Sequence, residues 1–317
     1  MPLTLRIVLL ALFALFALSA LLVHLRGRVR LRFDRQLVDH SAIFAPYNLM
    51  MYAFSAVPAR PILDRRGFPQ LDLLQANWQT IRDEAARLFD EGHIRAAAKS
   101  NDASFNSFFK QGWKRFYLKW YGEPLTSAEA LCPQTVALLK AIPSVKAAMF
   151  ALLPPGSKLN PHRDPFAGSL RYHLGLITPN SRNCRIFVDG EEHAWGDGKD
   201  VVFDETYVHW AENNSEQTRV ILFADVERPL RTRWMSAINH RVGAFMGRIT
   251  ASPNDDAGTE QTGFVNRLFA LSQRKGAAHR WKVEFKRRHK KLYKAGKYVG
   301  IVLLMWLIFL APWPLLR

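Results

Sequence analysis

Residues 147–177 read AAMFALLPPGSKLNPHRDPFAGSLRYHLGLI, in which two apolar runs are separated by turn residues and a short polar motif. Apolar runs of this length, bounded by proline and glycine, are typical of β-strands. Similar runs recur up to residue 226. The pattern therefore predicts a series of short strands, Ala147–Leu153, Leu170–Ile177, Arg185–Val188, Val201–Phe203 and Thr218–Val226.

Helical patterns precede these strands. Apolar residues recur with helical spacing over residues 78–98, and a second helix is predicted from Ser127 to Ile142. We interpret the dense aromatic residues between positions 101 and 121 as core. Helices followed by many short strands indicate an α+β domain over residues 76–230, with helices packed outside a β core, either a barrel or a sandwich, over residues 145–230.

An apolar segment lies near each end of the chain. Residues 7–23 and 298–316 carry no charge, and each run approaches the ~20 residues that a helix needs to cross a bilayer. We predict an N-terminal transmembrane anchor over residues 1–25 and a C-terminal hydrophobic or transmembrane segment over residues 298–317. The alternatives are a cleaved signal peptide for the first and a buried or interfacial hairpin for the second.

The formal net charge of +17 is concentrated beside these apolar segments. A basic juxtamembrane segment and connector covers residues 26–75, and a basic amphipathic helical segment covers residues 231–297. The region between positions 36 and 273 is nearly neutral, so we expect an anionic membrane surface as partner and no nucleic acid. Basic flanks tend to remain in the cytoplasm, which predicts a cytoplasmic domain. The stretch Phe264–Lys294 is interpreted as a helix that lies in the headgroup layer or is simply solvated.

The motif Pro161-His162-Arg163-Asp164 contains two potential metal ligands. On an extended strand, His162 and Asp164 point to one face and can reach one ion. His209, which follows another predicted strand, is the candidate third ligand. Two histidines and a carboxylate suit a non-haem Fe(II) oxygenase. Taken alone, His162 is better read as a structural histidine, because a His-x-Asp motif arises readily by chance.

Arg219 strengthens the functional interpretation. It opens the apolar run 220–224, and a buried guanidinium requires an anionic partner. A carboxylate of 2-oxoglutarate is such a partner, since guanidinium and carboxylate pair in bidentate fashion. Arg171 and His173 share a strand face and are predicted to offer further donors to this cosubstrate. The alternative is a surface arginine beside a core histidine.

Together these residues resemble the aspartyl/asparaginyl β-hydroxylase family of Fe(II)/2-oxoglutarate dioxygenases. The resemblance is carried by Pro155-Gly156, Pro161-His162, residues 171–176, Phe203-Asp204, His209, Arg219 and Asp225-Val226. It implies a double-stranded β-helix (jelly-roll, cupin-like) core, Fe(II) held by His162, Asp164 and His209, and 2-oxoglutarate and O2 as cosubstrates. Arg219, Arg171 and His173 are then the cosubstrate-binding residues.

Two positions depart from the family pattern. Animal members carry glycine where this chain has Asp164, and they place a serine where it has Ala151. The apolar ends make the chain similar to a bacterial branch that hydroxylates lipid A. The resemblance implies 2-hydroxylation of a secondary acyl chain of lipid A at the bacterial inner membrane. The alternatives are another lipid such as ornithine lipid, a protein Asp/Asn side chain, or a non-catalytic β-barrel binding module. The oligomeric state is left open.

Overall fold

The computed structural model describes residues 3–32, 42–96, 102–254, 260–273, 277–293, 295–296 and 299–300. The predicted C-terminal transmembrane segment lies almost entirely outside the described residues. The helices are α1 (Leu3–Leu25), α2 (Ala45–Ala53), α3 (Asp72–Ala76), α4 (Trp78–Asp90), α5 (Asn106–Phe109), α6 (Thr126–Leu131), α7 (Pro133–Lys140), α8 (Arg233–Thr250), α9 (Phe264–Ser272) and α10 (Ala277–Arg288).

The strands form two antiparallel sheets. They are β1 (Ile62–Leu63), β2 (Lys114–Trp120), β3 (Val145–Leu153), β4 (Lys158–His162), β5 (Ser169–Ile177), β6 (Cys184–Val188), β7 (Glu191–Ala194), β8 (Asp200–Phe203), β9 (His209–Asn213) and β10 (Arg219–Glu227). The large sheet has the order β1-β8-β5-β10-β3-β2 and the small sheet β4-β9-β6-β7. From β3 to β10 the chain changes sheet at every connection except β6 to β7, which is the path of a jelly roll. The predicted mixed α+β class with a jelly-roll core is confirmed.

Burial explains which strands the sequence revealed. Strands β3, β5 and β10 are covered on both faces, by the helices outside and by the small sheet inside, so they read as continuous apolar runs. Strands β4 and β7 are largely exposed and carry polar residues, and they were not predicted as strands. The site lies between the two sheets, where the small sheet meets β5 and β10.

Two predicted helices differ from the observed ones. The helix that begins at Trp78 ends at Asp90 rather than Ala98, and Gly92 then adopts a left-handed conformation with φ +75°. The helix predicted over 127–142 is interrupted at Cys132, because the residue before Pro133 disfavours helical geometry. In the described part of the stretch 264–294, α9 ends at Ser272 and α10 begins at Ala277.

Helix α1 is long and apolar enough over Thr4–Leu25 to cross a membrane, by length and composition. Its last turns pack on the domain. Ala20 and Val23 contact Ala45 of α2, with Leu49 and Tyr52 beside them.

Leu222→Ala is expected to destabilise the domain by about 2–5 kcal/mol, because it leaves a cavity in a close-packed core. Leu222 is fully buried in β10, paired with Phe150 on one side and Leu174 on the other. Thermal unfolding of the solubilised protein measures the effect. The matched control is Leu73→Ala, at a side chain that is 38% exposed. Equal melting temperatures for the two variants would contradict this account of the core.

Candidate active site

The three predicted metal ligands lie together at one end of the small sheet. His162 is the last residue of β4 and is directly paired with His209, the first residue of β9. Asp164 follows in the loop, where its backbone N–H donates to the Glu205 carbonyl over 3.0 Å. One potential ligand atom from each of the three residues lies within 4.8 Å of the others. The antiparallel pairing of β4 and β9 therefore forms a cluster that suits a metal ion.

The orientation of the two imidazoles fits metal binding. Nδ1 of His162 lies 2.7 Å from the Asn160 carbonyl, and Nδ1 of His209 lies 3.0 Å from the Tyr207 carbonyl. These contacts place the proton on Nδ1 and leave the Nε2 lone pair for a metal, as in many metal-bound histidines. Burial and the neighbouring His162 lower the pKa of His209 to about 3, so its ring is neutral at physiological pH.

Arg171 lies behind Asp164, the predicted carboxylate ligand. Its guanidinium bonds Asp164 and Asp225, each over 2.9 Å, and also contacts Glu205. Burial alone would raise the pKa of Asp164, but Arg171 and the two histidines outweigh it and hold that pKa below its ordinary value. Asp164 is thus ionised and oriented. In the structure the guanidinium of Arg171 bonds these carboxylates. Its predicted role as a cosubstrate donor stays a prediction.

Arg219 has no carboxylate partner among the described residues. It is 2% exposed, its Nε has no hydrogen-bond partner there, and its guanidinium stacks 4.4 Å from the Trp195 ring centroid. Burial lowers its pKa to about 10, so the side chain is cationic at neutral pH. A buried cation without an anion is costly. This environment is suited to an anionic ligand.

His173 and Trp195 add further unpaired donors. Both ring nitrogens of His173 and Nε1 of Trp195 are buried without a hydrogen-bond partner among the described residues. Burial, then the nearby Arg171 and Arg219, lower the pKa of His173 well below its usual range, so the imidazole is neutral and retains one N–H. Unsatisfied buried polar groups are rare in native proteins and indicate a missing partner. Sequence reasoning missed Trp195, which lies in a loop without a recognisable motif.

All six predicted site residues line one cavity. His162, Asp164 and His209 share it with Arg171, His173 and Arg219, and its remaining walls are mainly apolar, formed by Phe108, Trp113, Leu159, Ile186, Trp195, Phe203, Trp210, Ala211, Ile221 and Phe223. Cationic and neutral donors thus adjoin a metal-suited cluster in a cavity with mainly apolar walls. This combination fits a chelating organic acid beside a metal ion.

The end of α1 is attached to the same region. Arg163, between the predicted ligands His162 and Asp164, donates to the carbonyls of Val23 and, over 2.7 Å, Arg26. Arg26 in turn donates to Asp204 over 2.7 Å, and Asp204 also pairs with Arg228 over 2.8 Å. The sequence offered no signal for these contacts, which join segments far apart in the chain.

The Asp204 cluster predicts a stability effect that depends on pH. Burial alone would raise the pKa of Asp204, but Arg228 and Arg26 outweigh it and hold the pKa well below its usual range. A carboxyl whose pKa is depressed in the folded state stabilises the fold fully above its unfolded pKa of about 3.9. This contribution declines as the pH falls below about 3.9 and is lost as the pH falls through the folded pKa. Asp204→Asn should therefore cost about 3–5 kcal/mol at pH 7 and less at pH 3.

Melting temperatures at several pH values, for this variant and for Asp90→Asn at an exposed position, provide the check. A deficit for Asp204→Asn that stays constant down to pH 3 would show that its carboxylate charge is not the stabilising feature.

The structure thus combines a jelly roll, a metal-suited cluster and an adjoining cavity with a buried cation, an arrangement that suits a metal-dependent hydroxylase. Residues 75–229 match the family described as Aspartyl/Asparaginyl beta-hydroxylase. Through this domain the chain belongs to the aspartyl/asparaginyl β-hydroxylase family.

Several known proteins are similar. The chain is 33% identical over 178 residues to the ornithine lipid ester-linked acyl 2-hydroxylase of Rhizobium tropici, covering 54% of this chain and 62% of that protein. It is 29% identical over 161 residues to human aspartyl/asparaginyl beta-hydroxylase, covering 49% of this chain and 21% of that protein. The match thus spans less than two thirds of either relative. A prolyl-4-hydroxylase crystal structure from Pseudomonas putida aligns over 49% of this chain and 88% of that chain, with TM-score 0.32 and 21% identity.

Proposed function

We propose that this protein is an Fe(II)- and 2-oxoglutarate-dependent hydroxylase that acts on the acyl chain of a membrane lipid. One observation carries the proposal. The cavity that contains the His162–Asp164–His209 cluster also contains the buried guanidinium of Arg219, which has no anionic partner among the described residues. A metal ion and a dicarboxylic 2-oxo acid would satisfy both features at once.

Each side chain has a defined part in this proposal. His162, Asp164 and His209 would hold Fe(II), and Arg171 keeps Asp164 ionised and oriented. Arg219 would bind the distal carboxylate of 2-oxoglutarate, while His173 and Trp195 offer neutral donors. Iron and 2-oxoglutarate, when bound, supply oxidation of a C–H bond by O2. The apolar walls, including Phe108 at 4.8 Å from the His162 ring, exclude water.

A membrane lipid is the proposed substrate class for two reasons. Helix α1 is long and apolar enough to span a bilayer and is bonded to the ligand loop through Arg163. In addition, the relative from Rhizobium tropici is named for acyl 2-hydroxylation of a lipid. Under this proposal the domain faces the cytoplasm at the bacterial inner membrane, since Arg26, Arg28, Arg30 and Arg32 directly follow α1.

Two head groups are candidates. The resemblance to a bacterial branch that hydroxylates lipid A favours a secondary acyl chain of lipid A, while the basic flanks do not distinguish one lipid from another. The name of the Rhizobium tropici relative favours ornithine lipid. Both substrates present an acyl chain at the same membrane surface, so one experiment addresses both.

The experiment compares lipid extracts, by mass spectrometry, from cells that express the unaltered protein or its His162→Ala variant. One additional oxygen on lipid A, only with the unaltered protein, supports the first candidate; the same gain on ornithine lipid supports the second. If no lipid gains oxygen while folded protein is present, the lipid proposal fails. A protein Asp/Asn substrate or a non-catalytic binding module would then remain.

A further inference from the structure

Helix α2 holds the loop that follows the carboxylate ligand. Asn48 is 1% exposed; its side-chain amide donates to the Pro165 carbonyl, and its side-chain oxygen accepts from the Ala167 N–H, each over 2.9 Å. Tyr47 stacks on Phe166 with ring centroids 5.3 Å apart. Residues 165–167, directly after Asp164, are therefore fixed to one face of α2.

The same helix packs on the last turns of α1. Ala45 of α2 contacts Ala20 and Val23 of α1, while Arg163 bonds the carbonyls that end α1. The loop 163–167 is thus held by both helices. If α1 and α2 are held at a given depth in a membrane, this loop is therefore held at a corresponding depth.

The length of α1 sets the depth of this loop relative to the membrane. At ~1.5 Å per residue, Thr4–Leu25 extends about 33 Å, close to the ~30 Å of a bilayer's hydrocarbon core. Ala20 and Val23 lie about 3–8 Å along the axis from the end at Leu25. If α1 spans the bilayer, the part of α2 that contacts them lies at the boundary between acyl chains and headgroups.

The outer surface near α2 suits that boundary. Ile43 is 67% exposed and Met50 is 42% exposed. Trp234, 55% exposed, packs edge-on against Phe54 just after α2, with centroids 4.9 Å apart. Exposed Arg231 and Arg233 directly precede this tryptophan in the chain. We name this set the interfacial patch; tryptophan and arginine together are typical of the membrane–water interface.

We infer that the interfacial patch lies in the headgroup layer of an anionic bilayer as a second membrane contact beside α1, which holds the ligand loop 163–167 at the membrane surface. The inference rests on the membrane association in the proposed function. It assigns a lipid surface to Ile43, Met50, Trp234, Arg231 and Arg233.

The test measures depth with nitroxide labels on single introduced cysteines in the full chain. Cys132 and Cys184 are buried, so the label goes to the introduced position. Ile43→Cys and Met50→Cys report the patch, Leu15→Cys reports the anchor, and Glu216→Cys is the matched exposed control. Glu216 follows β9 at the end opposite His209. The protein is reconstituted in vesicles of phosphatidylethanolamine and phosphatidylglycerol, and label collisions with O2 and with a water-soluble nickel chelate are compared.

The expected result places the labels at 43 and 50 within about 5–10 Å of the headgroup–acyl boundary, between the deep label at 15 and the aqueous label at 216. Labels at 43 and 50 that behave like the one at 216, while the label at 15 is deep, would overturn the inference and leave the anchor intact. An aqueous label at 15 would overturn both. The depths do not depend on turnover, so the expected depths without any hydroxylated lipid would count against the proposed enzymatic function alone.

Discussion

His162→Ala, Asp164→Ala and His209→Ala are each expected to abolish 2-oxoglutarate turnover while the fold survives. Loss of an outer hydrogen-bond partner of a metal ligand already costs about 10–100-fold in affinity or activity, so loss of a ligand should cost more. The fold should survive because His162 and His209 lie at strand ends, Asp164 lies in a loop, and all three line a cavity. In Asp164→Ala, Arg171 keeps its contacts with Asp225 and Glu205. Succinate formation and Fe(II) binding by the purified variants are the measurements.

His93→Ala is the matched control, since His93 is partly exposed and pairs with Glu91 away from the cavity. It should retain activity, and circular dichroism should show the same fold in all four variants. Full activity of either His162→Ala or Asp164→Ala in iron-supplied membranes would refute the assignment of the ligands.

Arg219→Ala is expected to raise the KM for 2-oxoglutarate at least about 30-fold, because truncating one partner of a buried charge pair costs about 2–5 kcal/mol. Fe(II) binding should be unchanged, since Arg219 is not part of the metal-suited cluster. Arg219→Lys keeps the charge but loses the planar guanidinium, so its KM for 2-oxoglutarate should lie between those of the unaltered protein and Arg219→Ala. Steady-state kinetics with varied 2-oxoglutarate measures the effect.

The thermal stability of Arg219→Ala provides a second measurement. Without cosubstrate, Arg219 is a buried cation with no carboxylate partner among the described residues. Its removal should therefore leave the melting temperature of the cosubstrate-free protein unchanged or higher. Saturating 2-oxoglutarate should stabilise the unaltered protein more than the variant. Equal KM values and equal stabilisation in both proteins would contradict the role of Arg219 as the anion site.

The sequence predicted the parts of the fold that are buried on both sides. Strands β3, β5 and β10 are apolar throughout, and all three were predicted to within two residues at either end. Strand β9 is short and buries three polar residues, His209, Glu212 and Asn213, so it shows no apolar run, and its pairing with β4 could not be inferred from a local pattern. That pairing brings His209 beside His162.

The sequence was most informative about the candidate site where residue chemistry is restrictive. Arg219 at the start of an apolar strand required an anion whatever the fold, and the structure leaves it buried without a carboxylate partner among the described residues. The partners of Arg171 were not predictable, because Glu205 and Asp225 approach it only through the packing of β5 against β8 and β10. The attachment of α1 to Arg163 is equally non-local and became visible only in three dimensions.

The proposed function requires that His162, Asp164 and His209 hold an iron that couples 2-oxoglutarate oxidation to lipid hydroxylation. The most direct measurement follows purified protein in lipid vesicles under isotopically labelled O2, with succinate and lipid products analysed by mass spectrometry. We expect that each hydroxylation adds one labelled oxygen to the lipid and forms one succinate. This product should form only when Fe(II) and 2-oxoglutarate are both present, and not with His162→Ala. Lipid hydroxylation that persists without iron, without 2-oxoglutarate, or in His162→Ala would contradict the claim.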